Sequence, residues 1–248
     1  MALRIDKTGF GDIEIAQDDA MFCYGIDAVL VSDFAAKRLA VKKSGIYGIC
    51  DLGTGNGIIP LILAYKTDAK KIVGIEIQQR SFELAMDNAR RNDMSDRLSF
   101  INCNVGDTET VCKVLGKNSF EAVTMNPPYT EKGRGMVASS AEKNIARHET
   151  NASLSDFVAC ADALLKDKGE LFMIHRPSRL ADIFAALRKY KLEPKEMQLI
   201  SGKSAEVPNL VLLHCVKNAK PELKILPQIF VREEDGSMSK KIREVYEK

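Results

Sequence analysis

No Cys-x-x-Cys pair occurs among the six cysteines Cys23, Cys50, Cys103, Cys112, Cys160 and Cys215. A paired-thiol metal or redox motif is therefore missing, and reduced, buried thiols are the expectation. Cys50, Cys103 and Cys215 fall inside apolar, strand-like runs, where a thiol behaves as a small hydrophobe. The three histidines, His148, His175 and His214, are too widely spaced to form a metal-ligand motif, so no metal is expected. No apolar run approaches the roughly 18 residues of a membrane span. The first residues carry Asp and Glu and lack the apolar stretch of a signal peptide, which gives the expectation of a cytoplasmic protein. Charge is nearly balanced, with a net +2. A nucleic-acid partner is therefore not announced by the whole chain and must be argued from where cations cluster. Internal repeats and low-complexity tracts are also missing.

The 248 residues, 45% hydrophobic and 28% charged, are ordinary for a globular domain with a small extension. From residue 46 onward, short apolar runs alternate with helical patterns. Strands are expected at 46–52, 72–77, 98–102, 120–125 and 169–175, with helices after residues 58, 79, 108, 154 and 178. Two further strands, 195–200 and 210–217, have only a loop between them and should form an antiparallel hairpin at the sheet edge. Strand–helix alternation implies right-handed crossovers, hence an α/β, doubly wound, mostly parallel seven-stranded sheet with a C-terminal antiparallel hairpin. The expected organisation is an N-terminal extension, 1–45, packing on a ligand site, a main domain, 46–217, and a C-terminal extension, 218–248. The first holds a helix candidate at 26–37. The last holds a strand-like run at 224–231 and a charged helical tail at 240–248.

Asp51-Leu52-Gly53-Thr54-Gly55-Asn56-Gly57 closes the first core strand and opens the next helix. Glycines here permit positive φ and close backbone approach to a ligand. A dinucleotide turn requires its third glycine one residue later, where this chain has Ile58. Asp51, before the turn, would repel a pyrophosphate but can hold a cationic amino acid moiety. Glu76 ends the second strand, about twenty residues on, where a carboxylate can accept both ribose hydroxyls. Asn104 ends the third strand and offers an amide to an adenine edge. Ile77 and Val105, next in the chain, complete the expected contacts to a nucleoside.

The fourth strand runs straight into Asn126-Pro127-Pro128-Tyr129. Two prolines fix φ and leave carbonyls that can only accept hydrogen bonds. Asn126 precedes a proline and is held extended. An exocyclic amine on a base is a poor nucleophile, because its lone pair is delocalised into the ring. Acceptance of its hydrogens by the Asn126 side-chain oxygen and the Pro127 carbonyl favours the pyramidal nitrogen needed for methyl transfer. Tyr129 can stack on the ring and set the line of approach.

The glycine turn, Glu76 and Asn-Pro-Pro-Tyr together resemble the amino-methyltransferase branch of the Rossmann-like class I S-adenosylmethionine-dependent enzymes. The resemblance covers residues 45–217 and implies S-adenosyl-L-methionine as cofactor. The flanks add to it. Residues 17–30, QDDAMFCYGIDAVL, are similar to a segment of the bacterial tRNA(Val) adenine-N6 methyltransferases, as are Arg147-His148-Glu149, His175-Arg176-Pro177 and Arg179-Leu180. That family modifies the adenine 3′ of the anticodon. The resemblance implies that Tyr24 and Asp27 line the cofactor pocket and that Arg147 and His148 lie beside the substrate opening. Residues 31–33 depart from the family pattern, and the tail after residue 217 is longer than the family's.

Cations gather where RNA should sit. The segment 130–150 holds Lys132, Arg134, Lys143, Arg147 and His148, and a connection of this length inside a domain usually binds or covers a ligand. Of these, Lys132, Arg134, Arg147 and His148, together with Arg176, are the expected substrate contacts. An unpaired anticodon-loop adenine costs little to splay out, which favours tRNA as partner. Three other readings stay open at this point: a glutamine methyltransferase of release factors, a guanine-N2 methyltransferase of RNA, and a non-catalytic S-adenosylmethionine-binding or RNA-binding module.

Overall fold

Alternate residues of each central strand feed two separate apolar cores. In β3 (Gly48–Leu52), Ile49 packs on one side while Cys50 and Leu52 pack on the other. The same two-residue alternation holds in β4 (Lys71–Glu76), where Ile72 opposes Val73 and Ile75, and in β6 (Phe120–Met125), where Ala122 opposes Val123 and Met125. It continues in β7 (Leu165–His175), where Phe172 and Ile174 oppose Leu171 and Met173. A strand apolar on both faces must be covered on both faces. Helices α1 (Ile26–Leu39), α2 (Ile58–Lys66) and α3 (Gln79–Arg91) cover one. Helices α4 (Thr108–Leu115), α5 (Leu154–Leu164) and α6 (Leu180–Lys189) cover the other. The computed structural model describes residues 3–19, 21, 23–41, 48–129 and 152–247.

The main sheet has eight strands in the order β10-β8-β9-β7-β6-β3-β4-β5. Here β5 is Leu98–Asn102, β8 is Leu192–Ser201, β9 is Leu210–Lys217 and β10 is Lys224–Phe230. All neighbours are parallel except β9, which runs antiparallel to both β7 and β8. The seven strands expected from sequence are all present. The chain winds outward from β3 to β5, returns across β3 to β6, and winds the other way, so the ends of β3 and β6 lie side by side at the reversal.

Four features differ from the sequence expectation. First, the β8–β9 hairpin does not form the edge, because β10 pairs in parallel with β8 outside it and makes an eighth strand from what was expected to be an extension. Second, the charged tail is helical only over α7 (Lys240–Arg243). Third, the N-terminal segment contains a two-stranded hairpin, β1 (Leu3–Lys7) with β2 (Glu14–Asp18). Fourth, among the cysteines, all free, Cys23 and Cys103 are partly exposed. No helix among the described residues is long and apolar enough to cross a membrane.

The hairpin is held to α3 by two asparagines one turn apart. Asn88 Oδ1 accepts from Ala16 N–H at 2.7 Å, and its Nδ2 donates to Ala16 C=O at 3.1 Å. Asn92 makes the same two-way pair with Glu14, at 2.9 and 2.7 Å. A helix rises about 6 Å over four residues and a strand about 6.8 Å over two. The two amides therefore fall in register with alternate residues and stand in for a missing strand. Asn88 Nδ2 also donates to the Asn56 carbonyl of the glycine turn at 3.0 Å. Because Asn88 is fully buried, Asn88→Ala would leave these backbone groups unpaired. A loss of roughly 2 kcal/mol or more in denaturant-measured stability is expected, with faster amide exchange at Ala16. Unchanged stability and exchange would mean that the hairpin is held by its apolar contacts alone.

Candidate active site

At the end of β3 the chain must leave the sheet, turn and enter α2 within five residues, and three glycines make this possible. Gly53, Gly55 and Gly57 have φ of 70°, 58° and 86°. The N–H groups of Gly53 and Thr54 both donate to the Ile75 carbonyl at 2.9 Å, pinning the turn to β4. A side chain at Gly53 would press on the Phe157 ring at 3.2 Å, whereas one at Gly55 would meet nothing within 4 Å. Gly55 thus presents bare backbone to an open space, as a cradle for a ligand requires. Its N–H donates to Glu76 Oε2 at 2.9 Å, and Gln78 N–H donates to Glu76 Oε1 at 2.8 Å. Glu76 is buried, and burial raises its pKa against these two bonds. Each oxygen keeps acceptor capacity.

Asp51 has no exposed surface. Its Oδ1 accepts from the Thr124 hydroxyl on the neighbouring strand β6 at 2.7 Å, while its Oδ2 and the Thr54 hydroxyl, also buried, have no hydrogen bond of good geometry. Burial pushes the Asp51 carboxyl up to about 7; the Thr124 bond and a weaker pull from the Thr54 hydroxyl oppose this, and the nearby Glu76 charge adds to it. A buried carboxylate with an unmet oxygen is a strong attractor for a cation.

At the end of β5, Asn104 Oδ1 is committed to Gly106 N–H at 2.8 Å, so its NH2 is what it can offer a ligand. Val105 is buried and Ile77 half-buried. After β6, Asn126 and Tyr129 are half-buried, Pro127 is buried and Pro128 exposed. Tyr129 Oη lies 2.8 Å from Asp27 Oδ2, at the start of α1, and 2.8 Å from Asn126 Oδ1. The His175 ring meets the Tyr129 ring edge-on at 5.2 Å. Arg176 places its guanidinium 4.9 Å from the Tyr129 ring centre and donates to Asn209 C=O at 3.0 Å. His175 Nδ1 accepts from Arg176 N–H at 2.8 Å, so the neutral ring carries its proton on Nε2. Burial, then the charge of Arg179, pushes His175 down to about 4, which keeps it neutral at physiological pH. Of the remaining expected residues, Tyr24 donates its N–H to Gln17 Oε1 at 3.1 Å. Lys132, Arg134, Arg147 and His148 lie outside the described residues.

Sequence reasoning gave no role of their own to Gln17 and Asn56, which it met inside longer motifs, and missed Asn88. Gln17 Oε1 also accepts from Asn56 Nδ2 at 3.4 Å, so the hairpin reaches the glycine turn through two side chains. One signal was available for Asn88: it interrupts the apolar stripe Leu84, Ala85, Ala89 of α3, and a polar residue at a core-facing position needs a buried partner.

A family model described as "methyltransferase small domain" matches residues 12–190. The chain belongs to the methyltransferase small domain family. A Porphyromonas gingivalis protein named tRNA1(Val) (adenine(37)-N6)-methyltransferase is 29% identical over 206 residues, spanning 83% of this chain and 76% of the relative. One of the same name from Trichodesmium erythraeum is 29% identical over 202 residues, 78% of this chain and 80% of the relative. A structure described as a predicted O-methyltransferase from Agrobacterium tumefaciens superposes with a TM-score of 0.70 at 22% identity, covering 89% of this chain and 95% of the other. Methanocaldococcus jannaschii Trm5 in complex with adenosine gives 0.61 at 16% identity, with 88% and 56% covered. The solved structures share the fold.

Methyltransferases of this fold draw their methyl group from S-adenosylmethionine, and the residues present suit that group. The unmet Asp51 oxygen matches an ammonium, the Glu76 carboxylate matches a diol, and the open backbone at Gly55 leaves room between them. The pH dependence follows. Folded Asp51 holds its proton to about 7 and an unfolded aspartate only to 3.8, so the ligand-free protein loses stability as pH rises through that window. Glu76 acts in the same direction. A cationic ligand favours the ionised carboxylate, so its binding tightens over the same rise. Calorimetry between about pH 5.5 and 7.5 is expected to show S-adenosylmethionine affinity rising several-fold, and Asp51→Asn should flatten this profile while weakening binding about tenfold. A wild-type profile in Asp51→Asn would contradict the assignment.

Proposed function

We propose that the protein transfers a methyl group from S-adenosylmethionine to N6 of an adenine in tRNA, the base 3′ of the anticodon in a valine tRNA. The observation that carries this reading is the position of Asn126-Pro127-Pro128-Tyr129 at the end of β6, one strand from the Asp51 turn at the end of β3. Ligands bind outside the carboxyl ends of strands where the winding reverses, so a donor held by Asp51 and Glu76 and an acceptor held by Asn126 and Tyr129 would share one crevice. The names of the curated relatives support the choice of adenine in tRNA, as does the similarity of residues 17–30 to that group.

In this reading S-adenosylmethionine, when bound, supplies an electrophilic methyl group. The chain supplies position. Asn126 Oδ1 and the Pro127 carbonyl accept the two amine hydrogens, which localises the nitrogen lone pair as the bond forms. Tyr129 stacks on the base, its ring backed by His175 and Arg176. Arg176, exposed beside that ring, keeps guanidinium donors beyond its bond to Asn209 for a phosphate, and Lys132, Arg134, Arg147 and His148 are proposed as further substrate contacts. A strong general base is not required, because the attacking nitrogen becomes a cation that sheds its proton readily.

Two measurements test the reading. Total tRNA from cells lacking the protein should lose N6-methyladenosine beside the valine anticodon and regain it on complementation. Asn126→Ala should bind S-adenosylmethionine normally while kcat falls on the order of 100-fold or more. Full complementation by Asn126→Ala, or unchanged tRNA in the deletion, would refute it.

A further inference from the structure

Asp27, expected to line the cofactor pocket, has its carboxylate on the Tyr129 hydroxyl, 102 positions away in the chain. Tyr129 Oη has two neighbours at 2.8 Å, Asp27 Oδ2 and the end of the Asn126 amide. A phenol has one hydrogen to give, and an ionised carboxylate can only accept. The hydrogen therefore goes to Asp27, as the stronger, charge-assisted bond. What faces Tyr129 from Asn126 must then donate, and only the NH2 end can. The two ends of an amide have the same shape, so heavy-atom positions fit either orientation and the hydrogen count decides between them.

We infer that Asp27 is a positioning residue of the methyl-transfer site, acting through the Tyr129 hydroxyl to fix the amide orientation of Asn126. The relay runs one way: Asn126 Nδ2–H to Tyr129 Oη, Tyr129 O–H to Asp27 Oδ2. With the NH2 spent on Tyr129, the Asn126 carbonyl oxygen is turned away from it and keeps its lone pairs for a substrate amine. In the opposite orientation the oxygen would be partly spent on the phenol and the NH2 would face the amine, donor against donor.

The surroundings favour this direction. Asp27 lies in the first turn of α1, where a carboxylate is stabilised by the helix dipole, and its Oδ1 accepts from Ala28 N–H at 2.9 Å. Gly25 gives it room, since a side-chain carbon there would come within 2.9 Å of Asp27 Oδ1. Burial and the Asp27 charge raise the Tyr129 hydroxyl far above its ordinary value, so it stays a donor at any physiological pH.

The inference rests on the proposed role of Asn126, and the variants separate the two. Asp27→Asn replaces a pure acceptor with a group that can also donate, which lets the relay reverse. Tyr129→Phe keeps the ring and removes the hydroxyl. Each is expected to lower kcat about tenfold or more, with the KM for tRNA and the Kd for S-adenosylmethionine within about twofold of wild type. The double variant should be no slower than the worse single variant, because both changes break one relay. Losses that multiply in the double variant, losses confined to KM or Kd, or wild-type kcat in Tyr129→Phe would overturn the inference. If Asp27→Asn fails to fold, Tyr129→Phe alone decides it by kcat. Should Asn126→Ala lose turnover while both relay variants keep it, the relay fails and the role of Asn126 stands. Should Asn126→Ala stay fully active, that role itself fails.

Discussion

The reversal of winding between β3 and β6 is the constraint on which the rest of the site depends. Adjacent parallel strands normally send their following segments to the same side, which closes the sheet edge with helices. Here β3 feeds α2 on one face, and the next element after β6 whose placement is described, α5, covers the opposite face. The carboxyl ends of β3 and β6 are left side by side at the reversal. Asp51 and Thr124, paired in register on these two strands, join the two halves by a buried hydrogen bond. A carboxylate sealed at that junction and short of one partner is costly in the ligand-free chain. The same cost becomes affinity once a cation is supplied.

The N-terminal segment completes that edge. Asn88 and Asn92 hold β2 to α3 as a strand would, and Asn88 and Gln17 both reach Asn56 in the glycine turn. Arg80 pairs with the buried Asp18 at the end of β2. Helix α1, which follows, packs on α2, β7 and β6, with Phe34 edge-on to Phe172 of β7, and brings Asp27 to Tyr129. One short stretch thus braces the turn at the end of β3 and holds the tyrosine at the end of β6. Small errors of position matter here, because methyl transfer without a strong base depends on aligning three atoms.

Much of this was legible in the sequence wherever a local rule set the outcome. The doubly apolar runs of β3, β4, β6 and β7 read as buried parallel strands because nothing else accommodates apolar residues on both faces. The third glycine one place early excluded a dinucleotide turn, and the Asn-Pro-Pro-Tyr segment named its own geometry. What escaped was set by distant partners. LRIDK and EIAQD are short and half polar; EIAQD pairs with LRIDK on one side and takes the hydrogen bonds of its other side from two asparagines more than seventy residues on. Strand β10 was legible as a strand-like run at 224–231, but its place in the sheet was not, because that is set by the open edge of β8. The Asp27–Tyr129 contact spans 102 positions, and nothing in either residue's neighbourhood announces it.

The central claim is that one crevice brings a sulfonium methyl to an adenine amine in tRNA. Its most direct test is to incubate the purified protein with S-adenosylmethionine and an unmodified valine tRNA transcript, digest the RNA with nuclease, and locate the methyl group by mass spectrometry. The account predicts a single N6-methyladenosine 3′ of the anticodon, lost when that adenine is replaced by guanine. A methyl group on guanine, on another position after that replacement, or on a release-factor glutamine in place of RNA would contradict it.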